Sequence, residues 1–377
     1  MMKKNKRTKF NKYLEKKRFK RKKYLHNNNL KFKINSKTNK LLFIFFLSIL
    51  IILNILIKKN SIKYNDIHIA ISINNNYVYP CIVLLTSLLV NKHSSSFYKI
   101  HILTNNSTKN NSLNKINKVK ETFGKNSVEI KFYNLEGDFT GASIHYFPIS
   151  AYYRVALPSL LPEVDKIIYL DTDTLNFKDL SEIYNIEFKN KMYICATLDF
   201  FKTVQEINKF GIYPNKYINS GIMLLNLKEI RKDGIEKKIR DFIHGHFLSN
   251  ADQTAINAVC HNNIQILSYK YATLALDSFE KLVELNSGQN PIYRSSESEL
   301  KQGYNEPILF HYYAGYKPWR KEYTNFRKVY WWYYAKMSGF YQEILDRYYF
   351  NKDYIEKLLN QIPEDGGLLK RNYKKLN

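Results

Sequence analysis

Residues 64–320 alternate between strand-like and helix-like patterns, which predicts an α/β protein: a sheet flanked by helices. Three observations carry that expectation. Short β-branched runs are bounded by turn residues, stretches of helical length lie between them, and 45% of the 377 residues are hydrophobic, 15% aromatic. Such a chain can bury a core, so a disordered protein is excluded. Its length suits one large domain or two modest ones.

The chain opens on a basic tail. Residues 1–40 hold 17 Lys+Arg and one acid, Glu15, and so supply +16 of the formal +26. The charge therefore says little about the folded part and does not by itself indicate a nucleic-acid partner. Leu41 to Ile57 (LLFIFFLSILIILNILI) follows, polar only at Ser48 and Asn54. At helical rise it would span about 26 Å, enough for a thin bilayer. It ends in Lys58-Lys59-Asn60 without a small-residue cleavage site, so an uncleaved signal anchor is expected over 41–57. The alternative, a buried core helix, lacks any upstream partner surface. With the basic tail ahead of it, the positive-inside rule predicts a single-pass type II protein in contact with membrane lipid.

The elements follow in order. Ile67–Ile73 (IHIAISI) reads as a strand ending in the turn-like Asn74-Asn75-Asn76, and Tyr77–Val90 as a mostly buried helix. Tyr98–Thr104 is a second strand, Ser107–Phe123 a surface helix, and Val128–Tyr133 a third strand. Lys166–Leu170 (KIIYL), apolar almost throughout, predicts a strand buried on both faces. Met192–Thr197 and Gly221–Leu227 are strand-like, Lys228–His244 a charged helix, and Ala251–Cys260 a short one. The last fifty residues are rich in Tyr and Trp (Tyr330-Trp331-Trp332-Tyr333-Tyr334). They read either as a membrane-hugging amphipathic appendix or as helices capping the core. Cys81, Cys195 and Cys260 share no metal or disulfide spacing and read as small buried hydrophobes.

Chemistry concentrates at Tyr169-Leu170-Asp171-Thr172-Asp173-Thr174. Carboxylates at i and i+2 lie on one side of an extended chain. At the carboxyl end of a buried strand they emerge where open α/β sheets bind ligands. There a hard divalent ion could be shared with a diphosphate, although a D-x-D alone also fits a solvated turn. Further motifs accompany it: Ala70-Ile71-Ser72 running into Asn74-Asn75-Asn76-Tyr77, Ser150-Ala151-Tyr152-Tyr153-Arg154, Asn219-Ser220-Gly221, Ala251-Asp252-Gln253, and HYYAGYKPW over His311–Trp319.

In this order and spacing the motifs resemble the retaining nucleotide-sugar glycosyltransferases of family 8, which include lipopolysaccharide galactosyl- and glucosyltransferases and glycogenin. The resemblance covers about Asp66 to Arg320. It implies a GT-A fold, a UDP-sugar donor and a divalent metal, Mn2+ with Mg2+ as the alternative. Carried onto this sequence, it makes Asp171, Asp173 and His311 the metal ligands and brings Lys317 to the donor diphosphate. Ser72, Asn74, Asn76 and Tyr77 would line the uridine pocket, and Arg154, Asp171, Thr172, Asp173 and Asn219 would complete the donor site. Asp252 and Gln253 stand at the catalytic positions around the transferred sugar, and Asp199 would reach sugar hydroxyls of donor or acceptor. Two positions depart from the family pattern: Asn74 replaces the usual Asp, and Ala314 precedes Gly315 where the glycine normally comes one residue earlier.

The resulting expectation is a membrane-anchored retaining hexosyltransferase moving galactose or glucose to a glycan, glycolipid or glycoprotein. Its parts would be a cytoplasmic tail (1–40), the anchor, a GT-A domain (64–320) and a C-terminal helical extension (321–377). In a eukaryotic cell the catalytic domain would be luminal, in Golgi or ER, and otherwise membrane-associated. The alternatives are a catalytically silent nucleotide- or glycan-binding relative, and a basic tether recognising nucleic acid or anionic lipid through residues 1–40.

Overall fold

The computed structural model describes residues 46, 48, 65–142, 147–199, 204–212, 216–276, 278–288, 294–313, 315, 317–362 and 369. Contacts divide the chain between Lys63 and Tyr64, and the second unit, Tyr64–Asn377, carries both sheets.

Its centre is a seven-stranded mixed sheet of order β3-β2-β1-β4-β7-β6-β8. The strands are β1 (Asn65–Ser72), β2 (Ser96–Thr104), β3 (Val128–Asn134), β4 (Lys166–Leu170), β6 (Ile194–Leu198), β7 (Ile218–Asn226) and β8 (Ile264–Ile266). Helix α1 (Val78–Asn91) joins β1 to β2, and α2 (Asn110–Val119) joins β2 to β3. Both are crossovers, which parallel neighbours require. β4 runs parallel to β1, whereas β7 is antiparallel to both β4 and β6. A second sheet of three short strands has the order β5-β10-β9, from β5 (Thr174–Asn176), β9 (Ala272–Leu274) and β10 (Leu309–His311). Asp171-Thr172-Asp173 is the turn by which the chain leaves the large sheet and enters the small one.

Strand alternation sorts the core onto two faces. Ile67, Ile69 and Ile71 of β1, with Ile168 and Leu170 of β4, face α1 and the C-terminal helices α5 (Lys328–Met337), α6 (Tyr341–Arg347) and α7 (Lys352–Leu359). Ala70, Ile167 and Tyr169 face the 3-10 segment Ile149–Ala156, α3 (Ile235–Gly245) and α4 (Ala251–Cys260). Helix α1 is apolar nearly all round because it lies between sheet and C-terminal helices. Trp331 and Trp332 have no solvent exposure, and Asn91 Nδ2 donates to the Tyr334 hydroxyl at 2.8 Å. The aromatic segment thus caps the core. At about 3–5 kcal/mol for truncating each such side chain, it is part of what holds the domain together.

Three expectations are revised. The charged helix expected over Lys228–His244 is two helices, interrupted at Gly234, whose φ of +63° favours glycine. The strand expected over Gly221–Leu227 begins earlier: β7 starts at Ile218, so Asn219-Ser220-Gly221 lies within it, next to an irregularity in its pairing with β6. The single-pass type II placement is corrected: among the described residues no helix is long and apolar enough to cross a membrane. The anchor expected over 41–57 lies outside the described residues, apart from Phe46 and Ser48, as does the tail of residues 1–40. All three cysteines are buried and free, as their spacing suggested.

On the second face, β1, β2 and β3 carry a chain of rings. His68 Nδ1 lies 3.0 Å from His101 Nε2, and His101 Nδ1 lies 2.9 Å from the Tyr133 hydroxyl. A cavity of about 370 Å3 opens beside them, bounded also by Lys99, Glu129 and Leu161.

Candidate active site

β1 pairs with β2 on one side and β4 on the other, so the loops after β1 and β4 diverge and leave a crevice at their carboxyl ends. Ile71 stands opposite Leu170, which brings Ser72 level with Asp171. Asp171 is tied to the large sheet, its N–H donating to Gly221 O at 2.8 Å. Asp173 is tied to the small one, its carbonyl accepting from Tyr312 N at 2.9 Å. His311 ends β10 and points into the same space.

The ligand atoms of Asp171, Asp173 and His311 all lie within 4.8 Å of one another. His311 Nε2 is 3.2 Å from Asp173 Oδ1 and 3.9 Å from Asp171 Oδ2. Asp173 Oδ1 is nevertheless buried without a hydrogen bond. A buried carboxylate oxygen left unsatisfied beside an imidazole nitrogen suits a cation shared between them. Gly221 makes the convergence feasible. A Cβ there would stand 2.3 Å from His311 Cε1 and 2.7 Å from Asp171 Oδ2.

Lys317 Nζ pairs with the other oxygen of Asp173 and donates to Tyr312 O at 2.8 Å. Burial opposes the charge on Asp173, yet Lys317 and His311 outweigh it and hold the carboxyl well below the usual carboxylate range.

A buried arginine links this cluster to the next. Arg154 Nη2 meets Asp171 Oδ1 at 2.9 Å, Nε meets Asp252 Oδ2 at 3.0 Å, and Nη1 donates to Ser220 O at 2.6 Å. Its guanidinium lies 4.2 Å from the centre of the Tyr169 ring, whose hydroxyl donates to Asp171 Oδ1 at 3.0 Å. Burial, with Asp171's charge adding to it, pushes the Asp252 carboxyl up to about 6 in spite of Arg154. Beyond Asp252, Gln253 Nε2 donates to Asp199 Oδ2 at 2.9 Å and its Oε1 accepts from Ser220 N at 3.1 Å. Asn219 Nδ2 donates to the same Asp199 oxygen at 3.2 Å. The site is thus a line of fixed polar groups, from the Asp171, Asp173 and His311 cluster through Arg154 to the amides of Asn219 and Gln253.

Residues 68–323 match glycosyl transferase family 8. The chain belongs to that family. Among its relatives is general stress protein A of Bacillus subtilis (strain 168), 24% identical over 266 residues, covering 68% of this chain and 88% of that protein. Lipopolysaccharide 1,2-glucosyltransferase of Escherichia coli is 24% identical over 260 residues, 66% of this chain and 71% of the relative. In longer relatives, such as glycosyltransferase GlyA of Streptococcus pneumoniae serotype 4, the match spans 34% of the partner. Of solved structures, galactosyltransferase LgtC in complex with donor and acceptor sugar analogs superposes with a TM-score of 0.61 at 19% identity, over 72% of this chain and 95% of that one. This family 8 protein therefore has the GT-A-like fold, a mixed sheet flanked by helices.

The fold brings Asp171, Asp173, His311, Lys317, Arg154, Asn219, Asp252, Gln253 and Asp199 into this one network. Ser72 sits at the crevice edge with its hydroxyl buried, and Thr172 is buried in the turn. Tyr77 lies near enough to Asp173 and Asp171 that, after burial, their charges raise its phenol. Its ring meets the edge of Trp319 at 6.4 Å. Asn74 Oδ1 caps the short helix Asn75–Tyr77, accepting from Asn76 N at 2.9 Å. Gly315 is described and Ala314 is not, so the departure there lies outside the described residues in part. Tyr169, Ser220 and Gly221 went unassigned in the sequence, although Tyr169 precedes Asp171 by two residues on the same strand face. That spacing was the available signal.

Proposed function

We propose that this protein transfers a hexose, galactose or glucose, from a UDP-sugar to a glycan, glycolipid or glycoprotein acceptor with retention at the anomeric carbon. The observation that carries the reading is the convergence of Asp171, Asp173 and His311, with the Lys317 ammonium beside them, at the carboxyl edge of the sheet. Such a set would hold a divalent ion, here read as Mn2+, which when bound neutralises charge on the departing UDP. Lys317 would turn from Asp173 to the diphosphate as a further cation. Arg154 keeps Asp171 oriented. Asn74, Asn76 and Tyr77 would receive the uridine, with the phenol ring available for stacking.

Asn219, Asp199 and Gln253 would grip the sugar hydroxyls. Gln253 is pinned at both ends of its amide, which suits a group that positions and stabilises better than one that attacks. The preferred chemistry is therefore front-face attack. The acceptor hydroxyl approaches the face the UDP leaves, and its proton passes to the departing phosphate. Asp252, held by Arg154 and Ser220, supports this arrangement from behind.

The test is release of UDP by the full-length protein across a panel of UDP-sugars, with Mn2+ or with EDTA. One donor should turn over only with metal, and Asp173→Asn should lower the rate about 10²–10³-fold. Mn2+-dependent UDP binding without any turnover would favour a catalytically silent relative. Neither binding nor release would end the reading.

A further inference from the structure

We infer that helix α6, beyond the span that defines the family, completes the base side of the donor site, with Arg347 as a nucleotide-binding residue. This rests on the proposed donor site. The family match ends at residue 323, while α6 spans Tyr341–Arg347. Yet α6 is fastened to the loop proposed to receive the base. Arg347 Nη2 donates to Asn76 Oδ1 at 3.1 Å, and the Tyr79 hydroxyl donates to Glu343 Oε2 at 2.8 Å. Aromatic contacts make the same connection: Tyr77 against Trp319 at 6.4 Å, and Trp319 against Tyr348 at 6.0 Å.

The two charged residues of this contact are in different positions. Glu343 is committed to protein partners, paired with Lys115 as well as bonded by Tyr79. Arg347 is exposed and has no carboxylate partner among the described residues. Its one hydrogen bond goes to a neutral amide. A guanidinium has five N–H donors in a planar fork, so most of its capacity is unspent.

The matching ligand chemistry is an acceptor-rich planar ring. One carbonyl oxygen of a pyrimidine would accept from the Arg347 guanidinium, or the ring would lie against its plane. The diphosphate end is served separately by Lys317 and the acidic cluster, so Arg347 should act on the nucleoside and leave the phosphates untouched.

Binding of UDP and of inorganic pyrophosphate to the full-length protein in Mn2+ separates these ends. Arg347→Ala should weaken UDP about ten-fold while pyrophosphate changes less than two-fold. Glu343→Gln, which loosens the fastening without touching the guanidinium, should leave both affinities near wild type. Equal UDP affinity in wild type and Arg347→Ala would overturn the inference and leave the donor-site reading standing. So would a parallel loss for both ligands, or an equal loss in Glu343→Gln, either of which would mark a docking effect. Absence of UDP binding by the wild type would remove the reading and the inference together.

Discussion

At the scale of single residues, Gly221 matters for the atom it lacks. Its backbone runs between His311 and Asp171, and a methyl group on its Cα would stand far inside van der Waals contact with both. The atoms in the way are side-chain tips, so they make room only by turning out of the positions in which the ligand atoms converge. Gly221→Ala should therefore spread the ligand set. Titration of Mn2+ should show at least about a ten-fold weaker affinity with the circular dichroism spectrum retained. Unchanged affinity would mean that these three side chains do not share an ion. Arg154 shows a different economy. One buried cation serves Asp171 and Asp252 together, and removing either partner would leave it poorly compensated in a low-dielectric interior.

Among the elements, the ring chain across β1, β2 and β3 makes the sheet edge sensitive to acid. Burial, with help from His68 and Lys131, pushes His101 down to about 4, and His68 is lowered as well, first by burial and then by Lys99. An unfolded histidine takes up its proton near 6.5, whereas folded His101 resists until about 4. Between those values the unfolded chain binds more protons, so the stability contributed at neutral pH is lost as pH falls through this window. The effect is at most about 3 kcal/mol. Urea midpoints at pH 7.5 and pH 4.5 should differ more for the wild type than for His101→Gln, and equal differences would refute the assignment. Elements also differ in how plainly the sequence announces them. IHIAISI and KIIYL declare strands through apolar content and alternation. The three-residue strands β5, β9 and β10 are too short to show a period, and their pairing is decided by distant segments. The break in the helix after Lys228 hinged on one glycine at positive φ.

Over the whole molecule, the ligand types were legible because carboxylates, a histidine and a lysine recur in a known order. Their mutual orientation was not. That Arg154 clamps Asp171 and Asp252, or that α6 reaches Asn76, depends on contacts between segments far apart in the chain, which no local pattern encodes. The aromatic C-terminal segment was ambiguous for a related reason: its composition suits a membrane surface as well as a core, and only its burial against α1 separates the two. One consequence of the two-sheet layout concerns mechanics. Asp171 is tied to the large sheet, Asp173 is tied to the small one and His311 ends a strand of it, so an ion held by all three is a rivet through two plates. Binding only to the assembled plates, it should raise the melting temperature of the full-length protein, by about 2.7 kcal/mol of stability at a hundred times its dissociation constant. Linkage runs both ways. Phe177 touches no ligand, but it packs the small sheet onto the C-terminal helices, 5.0 Å from Phe310 and 5.8 Å from Tyr330. Phe177→Leu should loosen that plate and weaken Mn2+ binding measurably, so that the affinity of the ion becomes a gauge of how firmly the two sheets are joined.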